Sequence, residues 1–197
     1  AVAEFATRAA LGLGASVKVF SNNTSKLRRL QDALGRRVYT STLQPKVIAN
    51  ALKHADVAIG AMRSPKSRSP IIVSEEMVQN MAEGSVIVDV SIDQGGCFET
   101  SKVTTHANPT YNLHGVIHYC VPNIPSRAAR TASYALSNIF APVIIELGDG
   151  GGIDHCIRKI LSVRSGTYLY KGMLANPFLA KEFGLPYKDL DLLLAAY

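Results

Sequence analysis

Four short runs rich in β-branched residues, separated by stretches of helical character, restrict this chain more than any other feature. The runs are Ser16–Ser21 (SVKVFS), Val38–Thr42, Asp56–Met62 (DVAIGAM) and Val86–Ile92 (VIVDVSI). Helical candidates at Lys26–Leu34, Lys46–His54 and Glu75–Met81 fill the intervals, and Ala1–Gly14 precedes the first run. Gly12 and Gly14 close that leading helix, Thr24 or Ser25 caps the next, and Gly35 ends it. Strands joined through helices at this spacing are parallel, and such crossovers are right-handed. The expected fold is therefore α/β, a Rossmann-type doubly wound parallel sheet. The leading helix has no strand to return from, so a first strand is expected ahead of Ala1.

The fourth run is apolar on nearly both faces, the pattern of a strand buried inside a parallel sheet. It stops at Asp93-Gln94-Gly95-Gly96. Open α/β sheets bind ligands just outside the carboxyl ends of their strands, which makes Asp93 a candidate site residue. At this point an ordinary glycine turn explains the pattern equally well.

Beyond the glycines the pattern becomes irregular. Short strand signals at Val103–Thr105 and Val116–Val121 flank Asn108-Pro109, and Ser126–Leu147 is a long helix candidate with a kink expected near Pro142. The tract GDGGG at 148–152 breaks the chain; no strand precedes it and no Lys-Ser/Thr follows, so it is a boundary rather than a phosphate loop. Ile153–Val163 is helical, and Leu190–Tyr197 is a short apolar tail after the Asn176-Pro177 and Leu185-Pro186 turns.

Charge and composition narrow the functional classes. The net charge is +6 over 197 residues, but the basic residues come in scattered pairs such as Arg28-Arg29, Arg36-Arg37 and Arg158-Lys159. Nucleic-acid binding is not expected without a basic block interleaved with aromatics; an anionic cofactor suits the charge better. No apolar run reaches the roughly 18 residues that a membrane helix needs. Cys97, Cys120 and Cys156 have neither CxxC nor finger spacing, and an odd count in a disulfide-free pattern predicts a reducing, cytoplasmic setting. His106, His114 and His118 are close in sequence, yet their spacing does not converge on a metal, and no metal site is expected.

A dinucleotide fingerprint is partly legible. Ala1-Val2-Ala3 suits the last three positions of Gly-x-Gly-x-x-Gly/Ala, with the glycine pair falling upstream. At the end of the next strand the fingerprint wants a carboxylate for the adenosine ribose. Here the position belongs to Ser21, followed by Asn22 and Asn23. Ser21 can hydrogen-bond a ribose, and losing the carboxylate removes repulsion toward a 2′-phosphate that Lys26, Arg28 or Arg29 could meet. A plain polar strand end beside a basic helix face is the competing reading.

The segments VIVDVSIDQGGCFET, THANPTY, GVIHYCVPNIPSRAARTASYALSN and GLPY resemble the alanine dehydrogenase family, related to the nucleotide-binding domain of proton-translocating transhydrogenases. The resemblance runs from the Ala1 helix to Tyr187. It implies that residues 1–122 form most of an NAD-binding domain, N-terminally truncated, and that 123–197 are a helical segment returning to the substrate domain. It implies NAD-dependent, reversible oxidative deamination of L-alanine to pyruvate and ammonium in a cytoplasmic homo-oligomer, a hexamer by family pattern. Family members are about twice this length, so a chain without their N-terminal half is expected not to turn over alone.

The same resemblance assigns site residues. Asp93 corresponds to the carboxylate beside the nicotinamide and substrate, which orders the reacting water or amine and helps stabilise a cationic imino intermediate. Val90 matches a backbone contact to the nicotinamide end, Asn123 an asparagine at the nicotinamide, and Ile124 a position where a Met commonly lines the substrate. Met62 and Arg63 match the loop over adenosine and ribose; Ser21 and Lys26 are the ribose-end positions. Ser21 in place of an aspartate leaves NADP open beside NAD. Related transhydrogenase domains usually carry Glu before the glycine pair, so Asp93 favours alanine dehydrogenase over a transhydrogenase NAD(H)-binding component or a non-catalytic nucleotide-binding module.

Overall fold

The structure is a computed structural model that describes residues 2–64 and 68–196. Ala1 of the expected fingerprint, residues 65–67 and Tyr197 of the tail lie outside the described residues. The chain divides into two compact units, Ala1–Ile124 and Pro125–Tyr197.

The first unit begins with helix α1 (Val2–Gly12) and continues through β1 (Lys18–Phe20), α2 (Thr24–Leu34), β2 (Tyr39–Ser41), α3 (Pro45–Leu52) and β3 (Val57–Gly60). It then passes through α4 (Glu75–Gln79), β4 (Val86–Asp89), β5 (Thr110–Leu113) and β6 (Val116–Tyr119). Strand β1 pairs with β2 in parallel, and a four-stranded sheet has the order β3-β4-β6-β5. Within it β3, β4 and β6 are parallel and β5 is antiparallel to β6. The expected α/β Rossmann-type arrangement is present. Among the described residues, β1 pairs only with β2 and β3 only with β4.

The core explains why β4 is central. Ile87, Val78 and Val116 are completely buried, and Phe98, Cys97, Ile48 and Leu52 close around them. Phe20 of β1 and Met62 after β3 pack against the same cluster. Removing a side chain such as Ile87 from water contributes about 1.5–3 kcal/mol. Strand β3 is only half covered: Ala58 faces the core, while Val57 and Ile59 on the other face are 54% and 46% exposed. For β4 the expectation of a strand buried on both faces is corrected: Ile87 and Asp89 are buried, while Val86 and Val88 are only half-buried.

Local chemistry shifts several boundaries. Helix α2 is capped by Asn23 rather than by Thr24 or Ser25, since the Lys26 N–H donates to Asn23 Oδ1 at 2.9 Å. Strand β4 ends at Asp89, three residues before the expected Ile92, because Ile92–Gln94 winds into a 3-10 turn. Residues 103–105 are not a strand; the pairing is made instead by Thr110–Leu113, folded onto β6 through His114 (φ 57°) and Gly115 (φ 76°). A two-residue loop with both central residues at positive φ is the tight hairpin whose twist suits its strands. The His-Gly pair is a weaker signal for it than Asn-Gly, so periodicity alone passed it over.

The second unit is helical. It contains α5 (Ala129–Asp149), α6 (Ile153–Lys159), α7 (Leu161–Ser165), a small hairpin of β7 (Leu169–Tyr170) and β8 (Met173–Leu174), α8 (Pro177–Phe183) and α9 (Leu190–Ala196). Helix α5 starts at Ala129 rather than Ser126, after a 3-10 segment, and continues through Pro142. The expected helix at 153–163 is broken at Ile160. Asn176 caps α8 by accepting from the N–H groups of Phe178 and Leu179, so the Asn-Pro pair opens a helix instead of a simple turn. Ile157, Tyr170, Ala175, Leu193 and Leu194 form this unit's core, and Arg158 donates to the Leu194 carbonyl.

Candidate functional site

All eight residues singled out from the sequence lie at or just beyond the carboxyl ends of parallel strands. Ser21 follows β1 and Lys26 is in the first turn of α2; Met62 and Arg63 follow β3; Val90 and Asp93 follow β4; Asn123 and Ile124 follow β6. That common edge is where a parallel α/β sheet opens a crevice, since the strand ends stop together and the chain must turn away.

Three of the exits are bonded to one another. The Val90 N–H donates to the Gly60 carbonyl at 2.8 Å, and the Met62 N–H to Ser91 Oγ at 2.8 Å. The Asn123 N–H donates to Asp93 Oδ1 at 3.1 Å. Gln94 ties the β3 loop down, accepting from the Ser64 N–H at 3.3 Å and, through its carbonyl, from the Ser69 N–H at 2.8 Å. Asp93 is thus brought together with Val90, Met62 and Asn123, and it remains exposed. Asn123 has φ 52°, a left-handed conformation that asparagine tolerates better than most residues. Ser21 and Lys26 belong instead to the β1–β2 pair. The Ser21 N–H donates to the Ser41 carbonyl, and Ser21 Oγ accepts from the Asn23 N–H at 3.2 Å.

Beneath Asp93 lies a residue that the hydrophobic pattern hid. Asp89, the last residue of β4, is fully buried. Its Oδ1 accepts the Ser91 N–H at 2.9 Å; its Oδ2 accepts the Cys97 N–H at 2.8 Å, the Phe98 N–H at 3.4 Å and the Ser101 hydroxyl at 2.6 Å. The glycines make room for this fold-back. Gly95 and Gly96 have φ of 96° and 82°, and a Cβ on Gly96 would fall 2.7 Å from Asp89 Oδ2. A Cβ on Gly60 would meet Cys97 Sγ at 2.5 Å. A lone Asp inside a β-branched run was the one available signal, because an uncompensated buried carboxylate is expensive.

Cys97 is packing, not chemistry. Burial, reinforced by the neighbouring Asp89 carboxylate, pushes its thiol up to about 12, far from the thiolate that nucleophilic attack requires. Of the histidines near one another in sequence, His118 and His114 have separate hydrogen-bond partners. His118 is buried and hydrogen-bonded to Thr100 Oγ1 at 2.8 Å and to the Val116 carbonyl at 3.0 Å, stacked on Tyr111. His114 pairs with Glu75 at 2.7 Å.

Parallel strands joined through helices, with the candidate residues gathered at their carboxyl ends, define a dinucleotide-binding fold of the Rossmann type. Residues 1–177 match the family model described as alanine dehydrogenase/PNT, C-terminal domain, and the chain belongs to that family. The alanine dehydrogenase of Lysinibacillus sphaericus is 41% identical over 186 residues, covering 94% of this chain and 50% of that protein. The alanine dehydrogenase of Halomonas elongata is 40% identical over 188 residues, covering 95% and 50%. Among solved structures, an L-alanine dehydrogenase superposes with a TM-score of 0.81 at 37% identity, over 91% of this chain and 49% of that one. A transhydrogenase from Sinorhizobium meliloti shares the fold, with a TM-score of 0.67 at 21% identity, over 88% of this chain and 46% of that one. The chain spans about half the length of the curated relatives it matches.

Proposed function

We propose that this chain supplies the NAD-binding part of an NAD-dependent L-alanine dehydrogenase, which converts L-alanine and water to pyruvate and ammonium. The observation that carries the reading is the Asp93–Asn123 contact, which joins the exits of β4 and β6 at the carboxyl edge of the sheet. The residues fit a dinucleotide. Exposed Asp93 and left-handed Asn123 stand at the end where the nicotinamide belongs, and Gly95 gives close backbone approach without a side chain. Ser21 and Lys26 stand at the ribose end, while Met62, Arg63, Val90 and Ile124 complete the lining. NAD, when bound, supplies the hydride acceptor. The chain's own part is orientation and charge: Asp93, fixed to the Asn123 N–H, presents its other oxygen to order a water or amine and to favour positive charge developing on the substrate.

Other features of the chain support the rest of the proposal. Cys97, Cys120 and Cys156 are free buried thiols, in keeping with a reducing cytoplasmic location. Among the described residues no helix is long and apolar enough to cross a membrane. Helix α5 exposes Tyr134, Ile139, Phe140, Ile144 and Ile145, apolar surface of the kind a homo-oligomer would cover.

The test is L-alanine-dependent reduction of NAD at alkaline pH by a polypeptide that joins this chain to the substrate-binding half of its relatives. Turnover that Asp93→Asn lowers by about 100-fold or more, with cofactor affinity changed little, is the expected result. Hydride exchange between NAD(H) and NADP(H) without alanine oxidation would overturn it in favour of a transhydrogenase component.

A further inference from the structure

We propose that Asp89 is a positioning residue of this site: a buried carboxylate that folds the Ser91–Gly96 turn about itself and thereby sets where Asp93 meets Asn123. The inference rests on the reading of Asp93 given above, but its geometry stands independently.

The backbone leaves Asp89 at the end of β4 and returns to the same side chain at Cys97, eight residues later. Asp93 is the midpoint of that closed loop. Ser91 does three jobs within it. Its N–H donates to Asp89 Oδ1, its carbonyl accepts from the N–H groups of Gln94 (2.9 Å) and Gly96 (3.0 Å), and its hydroxyl accepts from the Met62 N–H. The turn carrying Asp93 therefore has its start and its return fixed by one carboxylate, and its middle by the Ser91 carbonyl that the same carboxylate holds in place.

The other half of the contact is fixed from the same place. Ser101 donates to Asp89 Oδ2, and Ser101 Oγ in turn accepts from Cys120 Sγ at 3.7 Å. Cys120 is fully buried and lies three residues before Asn123 on the exit from β6. Asp89 thus reaches both partners of the Asp93–Asn123 bond, one through the turn and one through Ser101 and Cys120.

The donor set requires a carboxylate specifically. Ser91 N–H and the Cys97 thiol, at 3.8 Å, face Oδ1; Cys97 N–H, Phe98 N–H and the Ser101 hydroxyl face Oδ2. An asparagine has one acceptor oxygen. In either orientation its NH₂ would point at a backbone N–H, that of Ser91 or that of Cys97, and leave it buried without an acceptor. The isosteric change Asp89→Asn therefore opens the loop without changing side-chain size.

The experiment follows the Asn123 backbone amide by ¹⁵N–¹H NMR in the full 197-residue chain. In the wild-type background Asp93→Asn is expected to displace that resonance, since it removes the charge from the acceptor. In the Asp89→Asn background the same displacement is expected to vanish, a non-additivity that marks the two residues as coupled. A displacement of unchanged size in folded Asp89→Asn protein would overturn the proposal, because an Asp89 that merely adds stability would lower the melting temperature and leave the Asn123 response intact. Should Asp89→Asn fail to fold, Ser101→Ala decides: it keeps the carboxylate and cuts the link to Cys120. A diminished displacement in Ser101→Ala supports the proposal, and a full one overturns it. Adding NADH to the wild type separates this question from the functional reading, which is contradicted if the Asp93 and Asn123 amides do not respond to cofactor, whatever Asp89 does.

Discussion

At the scale of single residues, the side chain at position 21 bears on the choice between NAD and NADP. Ser21 accepts the Asn23 N–H and leaves no carboxylate at the end of β1, while the first turn of α2 contains Lys26 and no acidic residue. A lysine in the first turn is unfavourable against the positive end of the helix dipole, and an anion there relieves it. Like charges about 4 Å apart near a surface repel by about 4 kcal/mol before salt screening, so the change Ser21→Asp is expected to act strongly on a 2′-phosphate. The expected outcome is a loss of NADPH affinity of about tenfold or more, equivalent to about 1.4 kcal/mol, with NADH affinity kept. Fluorescence titration of both reduced cofactors against the two proteins measures it.

At the scale of elements, β6 is held to the 97–102 segment by a buried polar cluster whose protonation matters. The Val116 carbonyl can only accept, so His118 Nδ1 bears the proton and Nε2 accepts from the Thr100 hydroxyl. Tyr111 stacks on the ring and donates to the Thr100 carbonyl at 2.7 Å. Burial lowers the His118 pKa below its ordinary 6.5; the Val116 carbonyl opposes that shift and His114 adds to it. Below pH 6.5 the unfolded chain binds a proton that the folded one refuses, so folding stability falls as pH falls. The contribution is present in full above about 6.5 and is lost progressively as pH drops from there through the lower folded value. Denaturant unfolding at pH 8, 6.5 and 5 measures the trend. His118→Gln, which cannot titrate, is expected to flatten it and thus to isolate the part that belongs to His118.

At the scale of the whole chain, the cofactor and the fold are linked. The proposed site uses the exits of β1, β3, β4 and β6, which belong to one unit. Anything that binds the folded unit and not the unfolded chain stabilises it by mass action. NADH at about 100 times its dissociation constant is therefore expected to raise the unfolding free energy of that unit by about 2.7 kcal/mol. Urea unfolding followed through probes placed in residues 1–124 and in 125–197 tests this, with the gain expected in the first set. An equal midpoint with and without NADH would remove the cofactor from this unit.

The strand–helix alternation by itself determined the α/β parallel sheet, because periodicity and glycine stops are local properties and every crossover between parallel strands obeys the same handedness. The IDQGG and YCVPNIP segments likewise marked the strand exits on which Asp93 and Asn123 stand. Tertiary structure decided the rest. A lone Asp in VIVDVSI hints at a buried carboxylate but does not say what fills it, since its donors come from positions 91, 97, 98 and 101, brought back by two left-handed glycines. His114-Gly115 is a hairpin only because β5 has β6 to pair with, and His118 is a core residue because Thr100 and Tyr111 close over it. Asp93 itself was legible as a carboxylate at the end of a central strand. That it meets the Asn123 N–H, thirty residues further along the chain, was decided by the sheet, which set β4 and β6 side by side and in register.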